Sequence, residues 1–122
     1  MREAPTYVHP MIPRVERHHR ILDQLRAAAP RTVPVTELAT TLGVSARSIE
    51  RDVRLLRDAG LPLRSTRGPR GGYRLEVRGA RLSVELTAGE AAVLVASLVG
   101  IGPLASATAQ SALDKLVGAL AS

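Results

Sequence analysis

Apolar positions recur at helical spacing in five stretches of this chain, and each stretch is bounded by residues that start or stop a helix. The first covers about residues 15–28, where Ile21, Leu22 and Leu25 form one stripe and Pro30 forbids continuation. A short second helix opens at Pro34 and turns Val35, Leu38, Ala39 and Leu42 inward. Gly43 is its natural end, because a left-handed backbone costs glycine no steric strain. Ser45 offers a side-chain cap for a third helix reaching Ala59, with Gly60 and Pro62 closing it. Here the periodicity is sharp. Ile49, Val53 and Leu56 share one face, and at about 100° per residue Arg47, Arg51 and Arg54 fall on the opposite one.

Two short strand candidates, about 63–66 and 73–77, flank the run Arg67-Gly68-Pro69-Arg70-Gly71-Gly72, whose glycines and proline mark a turn between strands. Beyond this hairpin, Thr87 and Glu90 have the spacing of a capping box for a helix over about 88–99. Gly100, Gly102 and Pro103 break it, and a last helix over about 104–120 carries the stripe Ala109, Ala112, Leu113, Leu116, Val117 and Leu120. Residues 1–13 contain Pro5, Pro10 and Pro13 and no periodicity, and read as a disordered arm. The fold class expected is mainly α with a small β-hairpin: a winged helix-turn-helix over 14–80, then a C-terminal helical hairpin over 81–122.

Composition narrows the options. Tyr7 and Tyr73 are the only aromatic residues, so the core must be aliphatic, which favours helix-on-helix packing. The absence of Cys excludes a disulfide scaffold, a zinc ribbon and a thiol nucleophile. The net charge is +6, and Lys115 is the only Lys. A genome rich in G and C explains Arg over Lys, but not where the Arg residues lie. Residues 1–80 hold 15 Arg against 8 acidic residues, a net of +7, whereas 81–122 hold Arg81 and Lys115 against Glu85, Glu90 and Asp114, a net of −1. One part is suited to an anion and the other is not.

The segment 35–59 is helix, three-residue turn, helix, which is helix-turn-helix spacing with the second helix as reader. Val44 is apolar and can pack under the turn. Ser45 caps the reading helix and leaves its other leading N–H groups free for a phosphate. Double-stranded DNA is therefore the expected partner. The candidate DNA-binding residues are Ser45, Arg47, Ser48, Arg51 and Arg54 on this helix, with Arg67, Arg70 and Arg74 on the hairpin and its loop. The bland reading of the Arg stripe is a solvated face in which Glu50 and Asp58 pair with Arg54. Asp52, beside the apolar stripe, reads as structural, and Tyr73 as core.

Catalysis finds no support. His18 and His19 are adjacent and point to different sides of a helix, so they do not form a metal pair, and no metal or cofactor site is expected. The uncharged run 91–113 is interrupted by Ser97, Gly100, Gly102 and Pro103, among others, which argues against a membrane span. No apolar leader is visible, so a cytoplasmic, nucleoid-associated protein is expected. The helix from residue 88 is apolar on more than one side, with Leu94 and Leu98 on one and Val93, Val95 and Val99 elsewhere. A helix apolar nearly all round is buried twice, so a homodimer through this hairpin is expected, the bland alternative being that the hairpin only covers the winged-helix core or docks on a further domain. The alternatives are an interaction module that heterodimerises with a full-length regulator, or the DNA-binding part of a larger enzyme.

Several stretches in order carry a family resemblance: Leu38-Ala39; Leu42-Gly43-Val44-Ser45-Ala46-Arg47-Ser48-Ile49-Glu50-Arg51-Asp52-Val53; Leu56; Ala59-Gly60-Leu61-Pro62-Leu63; and Gly71-Gly72-Tyr73-Arg74-Leu75. Together they resemble the DeoR-like, helix-turn-helix type 11 transcriptional regulators, most of all the N-terminal region of those with a C-terminal WYL domain. The later Leu86-Thr87, Glu90-Ala91 and Ala112-Leu113-Asp114-Lys115-Leu116 are similar to the segment C-terminal to the winged helix in those regulators. The resemblance implies DNA binding by the helix after Ser45, with Arg47, Ser48 and Arg51 at family positions; Ser48 stands where Thr is commoner. The WYL domain has no counterpart in these residues, so ligand sensing is not carried over from the resemblance and a small-molecule effector stays unknown.

Overall fold

The computed structural model of the chain describes residues 11–77, 79, 81–101 and 106–122. Among these residues, five helices and three strands follow in the order α1 (Met11–Ala28), β1 (Val33–Pro34), α2 (Val35–Leu42), α3 (Ala46–Asp58), β2 (Leu63–Thr66), β3 (Gly72–Leu75), α4 (Ala88–Ile101) and α5 (Ala107–Ala121). The helices are mainly those expected. Two units can be distinguished, Arg20–Arg81 and a second formed by the start of α1 with Leu82–Ser122; the division falls within α1.

The expected arm over 1–13 lies outside the described residues except for 11–13, which form the first turn of α1 rather than an arm. Pro13 is no obstacle there, because the leading N–H groups of a helix have no internal acceptor to lose.

In the Arg20–Arg81 unit, one aliphatic cluster joins every element. Ile21 and Leu25 of α1, Val33 of β1, Leu38 of α2, Ile49 and Val53 of α3, Leu63 of β2 and Leu75 of β3 are all buried. Tyr73, Val44 and Leu56 pack against this cluster and are partly buried. Removing eight aliphatic side chains from water is the main stabilising term, at roughly 1.5–3 kcal/mol each.

The turn between α2 and α3 is set by backbone geometry. Gly43 adopts φ +70°, and the Val44 N–H donates to the Ala39 carbonyl at 3.0 Å, closing the end of α2. The Ser45 hydroxyl then accepts from the Ser48 N–H at 3.1 Å, starting α3. At the far end Gly60 has φ +106° and Leu61 N–H donates to Leu56 O at 3.2 Å, so the same device terminates the helix.

The sheet has one strand more than the hairpin expected from sequence. Its order is β1-β3-β2, antiparallel throughout, with Val33 opposite Tyr73 and Leu63 opposite Leu75. A two-residue strand is too short to show alternation, which is why β1 escapes a sequence reading. Pro34 both ends this edge strand and precedes α2, two places where its missing N–H costs nothing. Gly72 makes the pairing possible. A Cβ there would overlap the backbone of Val33 and Pro34.

In the second unit, Thr87 and Glu90 form the capping box: Thr87 N–H donates to Glu90 Oε1 at 2.8 Å and Glu90 N–H donates to Thr87 Oγ1 at 3.1 Å. Ser106 caps α5 by accepting from Ala109 N–H at 2.9 Å. The last helix thus starts later than the sequence suggests, and residues 102–105 lie outside the described residues. Helices α4 and α5 pack on each other, burying Ala91 and Ala109 and half-burying Val95, Leu98, Leu113 and Leu116. Leu94, expected on a stripe with Leu98, is exposed. Among the described residues, no helix is long and apolar enough to cross a membrane.

Candidate nucleic-acid interface

Helix α3 is divided along its length. Ile49 and Val53 are in the core, while Arg47, Arg51 and Arg54 are exposed. Among the described residues, neither Glu50 nor Asp58 is ion-paired with Arg54. Asp52 is only 1% exposed, on the inner side of α3, and is not free. A buried carboxylate needs a partner, which fits a structural role. Ser45 and Ser48 lie at the leading end of α3, their hydroxyls 3.1 Å apart.

The loop between β2 and β3 projects Arg67 and Arg70 into solvent. Gly68 has φ +102°, and Gly71 N–H donates to Gly68 O at 2.8 Å, closing a tight tip. A groove of about 520 Å³ separates this tip from the helices, lined by Thr36 of α2, Glu50 of α3 and Thr66, Arg67 and Tyr73 of the wing, among others. Burial is the first cause, and the charge of Glu50 the second, of a raised Tyr73 phenol pKa.

Arg74 is placed differently from the other candidates. Side chains alternate along β3, so Tyr73 and Leu75 point to the core and Arg74 to the opposite face of the sheet. It stands directly across from Arg64, and Glu76 spans the pair: Arg64 Nε is 2.8 Å from Oε1 and Arg74 Nη2 is 2.9 Å from Oε2. Two like charges at facing positions repel, and this carboxylate offsets that repulsion. The hydrogen bond from Arg64, then that from Arg74, holds the Glu76 carboxyl below the usual carboxylate range, and the same contact raises the Arg64 pKa. The structure therefore brings Ser45, Arg47, Ser48, Arg51 and Arg54 together on α3, sets Arg67 and Arg70 on the wing tip, and leaves Arg74 in a separate ion-paired cluster. The sequence reading missed Glu76 because the strand register that joins these three residues depends on which positions face each other. The alternation Arg74-Leu75-Glu76 was the one available signal.

Among the described residues, no group of three His, Asp or Glu side chains is arranged to hold a metal. No solved structure matches the chain. Residues 17–74, running from the first helix into the last strand of the sheet, match the family model HTH_11, an HTH domain. A capped helix exposing arginines behind a glycine turn, a wing on the three-stranded sheet and this match agree: residues 17–74 form a helix-turn-helix domain of type 11, which supports a DNA-binding transcriptional regulator in general.

Proposed function

We propose that α3 enters the major groove of a specific operator, with the wing tip on the adjoining backbone or minor groove. The observation that carries this reading is the exposure of Arg47, Arg51 and Arg54 on the face of α3 opposite the core. A guanidinium matches the paired acceptors of a guanine edge, and the N-terminal part of a reading helix reaches deepest. Ser45 and Ser48 at the helix tip, and Arg67 and Arg70 on the wing, are suited to phosphates, which set orientation rather than sequence. Arg74, held by Glu76, is assigned a lesser part.

The test is titration of a selected duplex by fluorescence anisotropy across a salt series. Arg51→Ala is expected to weaken cognate binding by about 1–3 kcal/mol and to relax the preference at one base pair. Arg70→Ala is expected to weaken all duplexes alike and to reduce the salt slope by about one. Equal cognate affinity of the Arg51 variant and the parent protein removes the assignment of α3.

The domain division that fits this role is a DNA-binding domain over 14–80 with a helical association element over 81–122. Leu82, Val84, Val93, Leu94, Val99 and Val117 are all exposed in the second part, which supports a homodimer through α4 and α5. A two-fold dimer would read half-sites one or more DNA turns apart. Sedimentation as a monomer at micromolar concentration overturns the dimer. Self-association without salt-dependent DNA affinity favours the interaction-module reading instead.

A further inference from the structure

An acidic side chain on a surface that meets phosphates works against binding unless it does something else there. Glu50 is such a residue. It is exposed in the second turn of α3, about 40° around the axis from Arg54 and about 60° from Arg47. It borders two surfaces at once: the depression on α3 shared with Arg47, Arg51 and Arg54, and the groove between α3 and the wing. Among the described residues, no side chain within ion-pair distance occupies its carboxylate, although Arg54 follows at the favourable four-residue spacing. The carboxylate is therefore held ready as an acceptor, beside the guanidiniums assigned to base edges.

We infer that Glu50 is a specificity-determining residue, accepting a hydrogen bond from the exocyclic amine of a cytosine in the major groove. The inference rests on α3 being the reading helix. Arginines on this face select the acceptor-rich edge of guanine; a carboxylate accepts only, and the cytosine N4 group is the matching donor. Glu50 and its neighbours can thus read both members of G·C-rich steps. At a site lacking that donor, the carboxylate meets an acceptor or a phosphate, and the repulsion lowers affinity for wrong sequences. Arg51 secures cognate binding in this scheme, and Glu50 suppresses the rest. Glu50 lines the groove together with Thr66 and Tyr73 of the wing, which places it toward the wing-facing flank of α3.

The test is selection of bound duplexes from a randomised library by the parent protein, Glu50→Gln and Glu50→Ala, followed by titration of single-base variants of the selected site in a salt series. Glu50 is exposed, so both variants should retain the helical circular dichroism of the parent. The parent is expected to prefer cytosine at one position by about tenfold. Glu50→Gln is expected to move that preference toward adenine, whose N6 and N7 suit a side-chain amide, and Glu50→Ala to abolish it. Unchanged base preference in both variants, with tighter binding to every duplex and a steeper salt slope, would mean that Glu50 only repels phosphate and overturns the inference. Unchanged preference with unchanged affinity overturns it as well. A parent protein that selects no sequence at all fails at α3 itself, a different outcome that removes both readings.

Discussion

The two units are built from the same aliphatic residues and use them in opposite ways. Between Arg20 and Arg81, helices and sheet converge on Ile21, Leu25, Val33, Leu38, Ile49, Val53, Leu63 and Leu75, and all eight are withdrawn from solvent. Between Leu82 and Ser122, α4 and α5 pack on each other, and the buried side chains among the described residues there are Ala91 and Ala109. Leu82 remains 83% exposed and Val93 66%. Packing α4 on α5 covers one side of each helix and leaves these apolar side chains exposed. Apolar side chains thus stabilise the fold where helices and sheet close over them, and lie on the surface where they do not.

Truncating a residue from each unit is the strongest way to break that contrast. Leu38→Ala is expected to cost about 2–5 kcal/mol of unfolding free energy in urea, since it leaves a cavity in a closed core. Leu94→Ala, at a partly exposed position, is expected to cost less than about 1 kcal/mol in dilute protein. If the hairpin dimerises, the second cost grows with protein concentration and the first does not. Equal costs at high dilution would erase the distinction between the units.

Gly72→Ala tests whether the first unit depends on the close approach of β1 to β3. The added methyl would overlap the Val33 backbone, which cannot move aside as a flexible side chain could. A loss of about 1–3 kcal/mol is expected, together with faster amide exchange in β3. No change in stability would mean that β1 contributes little to closing the core.

The smallest effect expected is on the alkaline side. Burial raises the Tyr73 pKa above its ordinary value near 10, so the folded state holds the phenolic proton more tightly than the unfolded chain does. That contribution is complete below pH 10 and is lost as pH rises through the folded-state value. Stability should therefore decline above pH 10, and Tyr73→Phe should flatten the decline. Ultraviolet titration of the phenol alongside urea unfolding reads both.

Helix positions were legible because their signals are local. Gly43, Ser45, Gly60 and the Thr87–Glu90 box each act within four residues, and each does in the structure what its chemistry suggests. The division of α3 into core and Arg faces was legible for the same reason, since the helical repeat alone sets it. The wing was less so. Strand β1 lies about 40 residues from its partner β3, and nothing in the pair Val33-Pro34 announces that pairing. Arg74, expected from its place in an Arg-rich stretch to act with Arg67 and Arg70, lies on the face of the sheet away from the core and is paired with Glu76.

By itself, the order of residues determined the places of α2, α3 and α4, the apolar side of α3 and where positive charge accumulates. These features arise from steric and hydrogen-bonding preferences over a turn or two of chain. Only the tertiary structure decided which charges remain available and which are neutralised, and that β1 completes the sheet. Among the described residues, it also left Glu50 without an ion-pair partner on the margin of the Arg-bearing face of α3. Such outcomes depend on groups distant in sequence coming within a few ångströms of one another, and no local preference encodes that distance.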